Sequence, residues 1–227
     1  MDSNVTVLVQ GPLNRISLEK LHTYKTVGPV VLSYWAGDDE NLYHDIDMDG
    51  IDKVRGIVDN VVTNNYRQGT ADKQFWGVWN GLKLVKTPYV IRTRSDEYFG
   101  NLQPLIDKLN ENKIICGSIF FRPWDYMQCH PGDHVFIGAT SWLLEAYRLL
   151  IESAEQFKGL FCAEQSLAYA IMAVRGYSNP VPRNVFRQFF DVIDINMMKP
   201  FIAQYRSGGT TYHNEFNVDV VSRTEQI

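Results

Sequence analysis

At 227 residues, 45% hydrophobic and 21% charged, the chain has the composition of an ordinary globular protein with one sizeable core, which excludes a disordered or fibrous class. Its formal net charge of -4 argues against nucleic acid as the partner. No apolar run approaches the roughly 18 residues of a spanning helix, and Val5–Val9 is too short for a secretory core. The expectation is therefore a cytoplasmic protein without a transmembrane segment, any membrane association being peripheral.

Asn4–Gln10 reads as a buried strand, ended abruptly by Gly11 and Pro12. Leu13–Val27 carries Ile16, Leu18, Leu21 and Tyr24 at roughly helical spacing, and Pro29–Trp35 forms a second strand closed by Gly37–Glu40. Strand, helix and strand in this order, with apolar strands, predict a parallel sheet covered by helices. The first turn, Gln10–Asn14, lacks both G-x-G-x-x-G and G-x-x-x-x-G-K-[ST]. A nucleotide on this turn would be held by side chains rather than by a glycine cradle. Asp45–Gly50 begins like a calcium loop, but the twelfth position is Gly56 instead of glutamate, so Asn41–Arg55 reads as a solvated acidic loop. Gly56–Thr63 is the expected third strand, Asn64–Gln68 a polar loop, and Ala71–Val85 a helix with Phe75, Trp76, Trp79, Leu82 and Leu84 facing the core.

Thr87–Gly100 is the stretch with the clearest chemistry. The apolar run Tyr89–Ile91 leads to the acidic pair Asp96 and Glu97 at the strand's C-terminal end, the edge where open α/β sheets bind ligands. Two adjacent carboxylates flanked by Arg92 and Arg94 suit a hard divalent cation that also carries substrate phosphates. Alternation places both arginines on one strand face, where they can meet a diphosphate or form internal ion pairs.

Further along, Leu102–Asn112 is an expected helix and Lys113–Phe121 a strand. Arg122–His134 forms a loop long enough to be functional. Val135–Thr140 is a short strand or turn, and Ser141–Ala154 a helix capped by Ser141. Ala163–Tyr177 is a helix stopped by Gly176, Val185–Ile195 a weak strand, and Tyr205–Asn217 a polar segment. The fold class is α/β: a single domain with a central, mostly parallel sheet flanked by helices and a less regular C-terminal part. Cys116, Cys129 and Cys162 form no C-x-x-C pair and read as reduced thiols. A Cys129–His130 nucleophile would need a positioned base, which adjacency in sequence does not supply.

Val7–Pro12, Leu32–Gly37, Asn64–Gln68 and Tyr89–Asp96 together resemble the WavE-type lipopolysaccharide-synthesis proteins. There a Q-G-P strand end, an S-T-W-x-G strand end, an N-x-N-R-Q loop and an R-S-D strand end recur in this order. The resemblance covers residues 5–100 well and 120–177 loosely, and leaves bacterial and viral sources open. It implies a GT-A-type glycosyltransferase moving a sugar from a nucleoside-diphosphate sugar, UDP-sugar by default, to a glycan hydroxyl. Residues 1–100 of the single domain, 1–227, would then form the nucleotide-sugar and metal half, and 101–227 the acceptor half.

By the same resemblance, Ser95-Asp96-Glu97 is similar to the D-x-D motif that holds Mn²⁺ or Mg²⁺, with Ser95 in place of the first acid and Glu97 of the last. His213 resembles a C-terminal histidine that completes the metal shell. Gln10, Gly11, Pro12, Arg67, Gln68, Arg92, Arg94 and Ser95 would line the donor. Glu164 stands where an E-D-x-x-L helix offers its base, with Gln165 in place of the aspartate and Asp133 the competing base. A nucleotidyltransferase would need a glycine-rich basic first loop that Gln10–Asn14 lacks. The substituted motifs also admit a catalytically silent glycan- or partner-binding domain on the same scaffold.

Overall fold

Strands with almost no polar interruption organise the chain. β1 (Val5–Gln10) and β2 (Val30–Trp35) are buried at every position, and β4 (Tyr89–Arg94) at its four central ones. Burial on both faces is what a parallel sheet covered by helices requires. The computed structural model describes residues 4–13, 15–44, 46–57, 69–119, 124, 128–153, 157, 160, 162–178, 182–204 and 211–213. Arg67 and Gln68 lie outside these residues.

With β3 (Ile51–Gly56), β6 (Ile114–Gly117), β7 (Val135–Ala139) and β8 (Phe190–Ile193), the sheet runs β3-β2-β1-β4-β7-β6-β8. Strand β7 is antiparallel to both neighbours, while the other pairings are parallel. A smaller antiparallel sheet joins β5 (Glu97–Phe99), β9 (Phe201–Gln204) and β10 (Thr211–His213) in the order β10-β9-β5.

Alternation along each strand divides the core in two. Leu8, Val31, Val90, Ile114 and Phe136 pack under α2 (Gly69–Leu82), α4 (Thr140–Glu152), α5 (Ala163–Val174) and α6 (Arg183–Phe189). Their neighbours Val7, Val9, Leu32, Ile91, Ile115 and Ile137 pack under α1 (Arg15–Tyr24) and α3 (Gln103–Asp107). Helix α2 lies close on β1 because Gly77 faces it: a Cβ there would stand 2.8 Å from Gln10 Nε2. Ser33 Oγ seals the contact by donating to the Gly77 carbonyl at 2.7 Å.

Several expected elements differ from those observed. The third strand among the described residues is Ile51–Gly56, paired in parallel from Val30↔Ile51 to Trp35↔Gly56, inside the stretch expected as an acidic loop; of the strand expected over Gly56–Thr63, residues 58–63 lie outside the described residues. As an edge strand with one partner it needs little apolar content, which is why it reads as irregular in sequence. The helix expected over Leu102–Asn112 covers only Gln103–Asp107, and the Asn110 side chain accepts from Asn112 N in a turn just beyond it. Val185–Ile195 divides into α6 and β8, the latter drawn into the main sheet by parallel pairing with β6. Helix α4 starts at Thr140 without a side-chain cap, and Thr140 Oγ1 instead donates to the Thr87 carbonyl at 2.8 Å. Helix α5 ends at Val174, and Gly176 just beyond it, with a φ of +85°, lets Tyr177 N reach back to the Met172 carbonyl.

The antiparallel insertion of β7 is the feature on which the sheet's centre depends. Phe136→Ala, deleting a fully buried ring there, is expected to cost about 3–5 kcal/mol in denaturant unfolding. A loss below about 1 kcal/mol would mean that β7 is not packed as described.

Candidate functional site

The chain leaves β1 in one direction, through β2 to β3, and later places β4 on the other side of β1. The C-terminal ends of β1 and β4 therefore flank a topological switch point, where a crevice opens in sheets of this kind. Three strand ends are laced together there. Gly11 N donates to the Ser33 carbonyl at 3.0 Å, and Ser95 N to the Gln10 carbonyl at 3.0 Å. Ser95 Oγ donates to the Pro12 carbonyl at 2.6 Å, while Asp38 Oδ2 accepts from Leu13 N and Trp35 N at 3.1 and 3.0 Å. Gly11 has φ +141°, and a Cβ on it would sit 2.4 Å from Ser95 Oγ. Glycine is thus required by both conformation and space.

Arg92 is 1% exposed and acts inside the protein. Its Nη2 donates to Gln10 Oε1 at 3.0 Å, and its Nη1 donates to the Asp133 carbonyl and lies 4.0 Å from Asp133 Oδ2. Gln74 Nε2, from α2, donates to the same carboxylate oxygen. Burial pushes the Asp133 carboxyl upward. The charges of Arg92, His134 and Arg94 and the Gln74 hydrogen bond outweigh that and hold it below the usual carboxylate value. Asp133 thus stays ionised and is a weak base.

Arg94 turns to the acidic pair. Its Nε and Nη2 donate to the two Asp96 oxygens at 2.7 Å each, and Nε lies 3.9 Å from Glu97 Oε1. The Glu97 side chain has no exposed surface, and His134 Nδ1 stands 2.5 Å from its Oε1. In this arrangement both Asp96 oxygens are held in a bidentate ion pair, and Glu97 Oε1 is enclosed against an imidazole.

A different set of ligand-type groups converges beside them. One ligand atom each from Asp133, His134 and Glu164 lies within 4.8 Å of the others, and His130, Cys162 and Glu164 form a second such trio. Glu164 sits in the first turn of α5 and retains 16% of its side-chain exposure, with its Oε2 3.7 Å from His130 Nε2. Gln165, beside it, is turned to structure, donating to the Gln128 carbonyl at 2.8 Å. Burial raises the Cys129 thiol to about 11 and Cys162 to about 12, so neither is a ready nucleophile.

The structure thus gathers Gln10, Gly11, Pro12, Ser95, Arg92, Arg94, Asp96, Glu97, Asp133 and Glu164 around one sheet edge. His213 lies on β10, in register with Ile202 of β9, which in turn pairs with Tyr98 beside Glu97. Sequence reasoning passed over Gln74, Asp38 and the contact of His134 with Glu97. Gln74 had no signal, being one polar residue on a helix. Asp38 read only as the close of a strand, and His134 only as the end of a long loop.

No protein-family model matches the chain, and no curated protein matches it. Among solved structures it is similar to the galactosyltransferase LgtC in complex with donor and acceptor sugar analogs, at 12% identity over 75% of this chain and 70% of that one, with a TM-score of 0.50. An active-site mutant of LgtC matches at 11% identity over 81% and 82%, with a TM-score of 0.49. The 4-diphosphocytidyl-2C-methyl-D-erythritol synthase from Anaerococcus prevotii matches at 11% over 84% and 88%, also at 0.49. The likeness shows the fold alone, an α/β domain with a mostly parallel central sheet flanked by helices; the WavE-type resemblance stands on its motifs alone.

The depressed Asp133 carboxyl has a consequence for stability. Its contribution is complete above the unfolded value near 4 and is lost as pH falls through the lower folded value. Unfolding free energy measured in urea should therefore fall below about pH 4 in the parent protein and fall less steeply in Asp133→Asn. Identical acid limbs would show that the Arg92–Asp133 arrangement carries no linkage.

Proposed function

We propose that the chain is a glycosyltransferase that moves a sugar from a nucleoside-diphosphate sugar, UDP-sugar being favoured, to a hydroxyl of a glycan acceptor. The observation that supports this most is the meeting of the β1 and β4 ends at the switch point with the acidic and histidine side chains that precede β7 and open α5. The fold likeness to a galactosyltransferase holding donor and acceptor sugar analogs is consistent with this reading. UDP is favoured by analogy with the fold family alone.

In this reading the Gln10–Pro12 turn takes the nucleoside side of the donor, its path fixed by Gly11 against Ser95. Arg94, with 28% of its side chain exposed, is the cation placed to meet the diphosphate. Arg92 cannot serve there. It is buried against Asp133 and Gln10 and holds the crevice wall in position. Of the two carboxylates on the acceptor side, Asp133 is enclosed by Arg92 and Gln74, whereas Glu164 keeps open surface. Glu164 is thus the group that takes the acceptor's proton as the glycosidic bond forms. A divalent cation, when bound, would offset the charge of the departing nucleoside diphosphate, and Asp133, His134 and Glu164 are the described residues whose donor set fits one.

Two measurements test the reading. UDP should raise the melting temperature above that seen with GDP, CDP, ADP or NAD, because a ligand of the folded state alone stabilises it. Glu164→Gln should lower sugar transfer roughly 10²–10⁴-fold with UDP binding retained. No stabilisation by any nucleoside diphosphate in a cooperatively melting protein would remove the donor assignment. Binding without turnover across acceptors would favour a silent glycan-binding domain.

A further inference from the structure

The acidic strand end and the cluster beside it differ in one respect that bears on metal binding. Asp96 is held through both oxygens by Arg94, and Glu97 is enclosed against His134. Asp133, His134 and Glu164, by contrast, bring two carboxylates and an imidazole within 4.8 Å of one another. We propose that these three residues bind a single divalent cation, so that the metal centre of this chain lies on the loop before β7 and the first turn of α5 rather than at Asp96 and Glu97.

Two further observations support the assignment. The first is the orientation of the histidine. In the neutral ring Glu97 accepts from His134 Nδ1, and Nε2 is the nitrogen that carries the lone pair. A buried carboxylate behind a ligating imidazole is the usual support of a metal-bound histidine: it fixes the tautomer and raises the basicity of the ligand nitrogen. Glu97 thereby acquires a role as a positioning residue and not as a ligand. The second is rigidity. Gln74 and Arg92 both engage Asp133 Oδ2, so the carboxylate is held in place before any ion arrives, and ligation falls to Oδ1.

Mixed oxygen and nitrogen donors suit Mn²⁺ or Zn²⁺ better than Ca²⁺, which takes oxygen ligands alone. The ligand set does not depend on the glycosyltransferase reading, although the cation's purpose rests on it. Ligation takes one Glu164 oxygen and leaves the other to take the acceptor's proton.

The test is direct binding. The full chain, stripped of metal with a chelator and dialysed, is titrated with Mn²⁺ in the absence of nucleotide, and free Mn²⁺ is read from its electron paramagnetic resonance signal. One Mn²⁺ per chain is expected. Glu164→Gln and His134→Gln should each weaken binding at least about tenfold, and Glu97→Gln by about 10–100-fold through loss of support to the imidazole. Asp96→Asn should leave it unchanged. Melting curves establish that each variant is folded. Should His134→Gln fail to fold, the half-buried Glu164 decides the matter alone. Mn²⁺ binding lost in Asp96→Asn and kept in Glu164→Gln would overturn the proposal, as would a folded parent protein that takes up no Mn²⁺ at millimolar concentration. UDP stabilisation and sugar transfer, measured on the same preparations, report on the glycosyltransferase reading separately.

Discussion

A guanidinium enclosed in the sheet's interior sets the terms for the rest of the molecule. Arg92 lies on the face of β4 that packs under α2 and α4, at a position where Val90, two residues earlier, joins the apolar core. A buried arginine survives there only because its charge is answered: Gln10 comes from β1, and the Asp133 carbonyl and carboxylate come from the loop before β7. Removal of either partner would leave a charge in a region of low polarity, so the three segments hold one another in place. The strand order makes this possible, because β1 and β7 are the two neighbours of β4.

From that constraint the site follows in sequence. Fixing Asp133 fixes His134, the next residue, and His134 in turn encloses Glu97 at the start of the small sheet. Two residues beyond Arg92, Arg94 closes on Asp96 from the exposed side of the crevice. One strand thus carries one arginine that is buried and one that keeps part of its surface exposed, although alternation points both to the same face. Depth along the strand separates them. Arg92 lies under the helical layer, and Arg94 lies at the strand end where that layer stops.

The acidic pair illustrates how a motif-like string shows a position on the sheet without showing which partners its side chains meet. Asp96 and Glu97 do lie at the C-terminal end of the expected strand, at the expected edge. Both Asp96 oxygens are engaged by Arg94 and Glu97 Oε1 by His134, and the carboxylate of Glu164, some seventy residues away in sequence, is brought beside them. Local spacing determines where a side chain leaves the backbone. Which charge it meets is set by segments that only folding brings near.

How much was legible follows the same line. The apolar runs Val5–Val9, Val30–Leu32 and Tyr89–Ile91 are continuous enough to declare buried parallel strands, and Gly176 declares the end of a helix through its backbone freedom. These are properties of residues a few positions apart, and a sequence contains them in full. The edge strand Ile51–Gly56 was hidden because a strand with one neighbour needs only half an apolar pattern. The division of Val185–Ile195 into helix and strand was hidden because pairing with β6, not local propensity, made its second half extended. The amino-acid sequence thus determined the α/β class, the central strands and the residue types at the sheet edge. Tertiary structure alone decided the antiparallel insertion of β7, the burial of Arg92 and the grouping of Asp133, His134 and Glu164, since each depends on contacts between segments far apart in the chain, whose free energies no local pattern encodes.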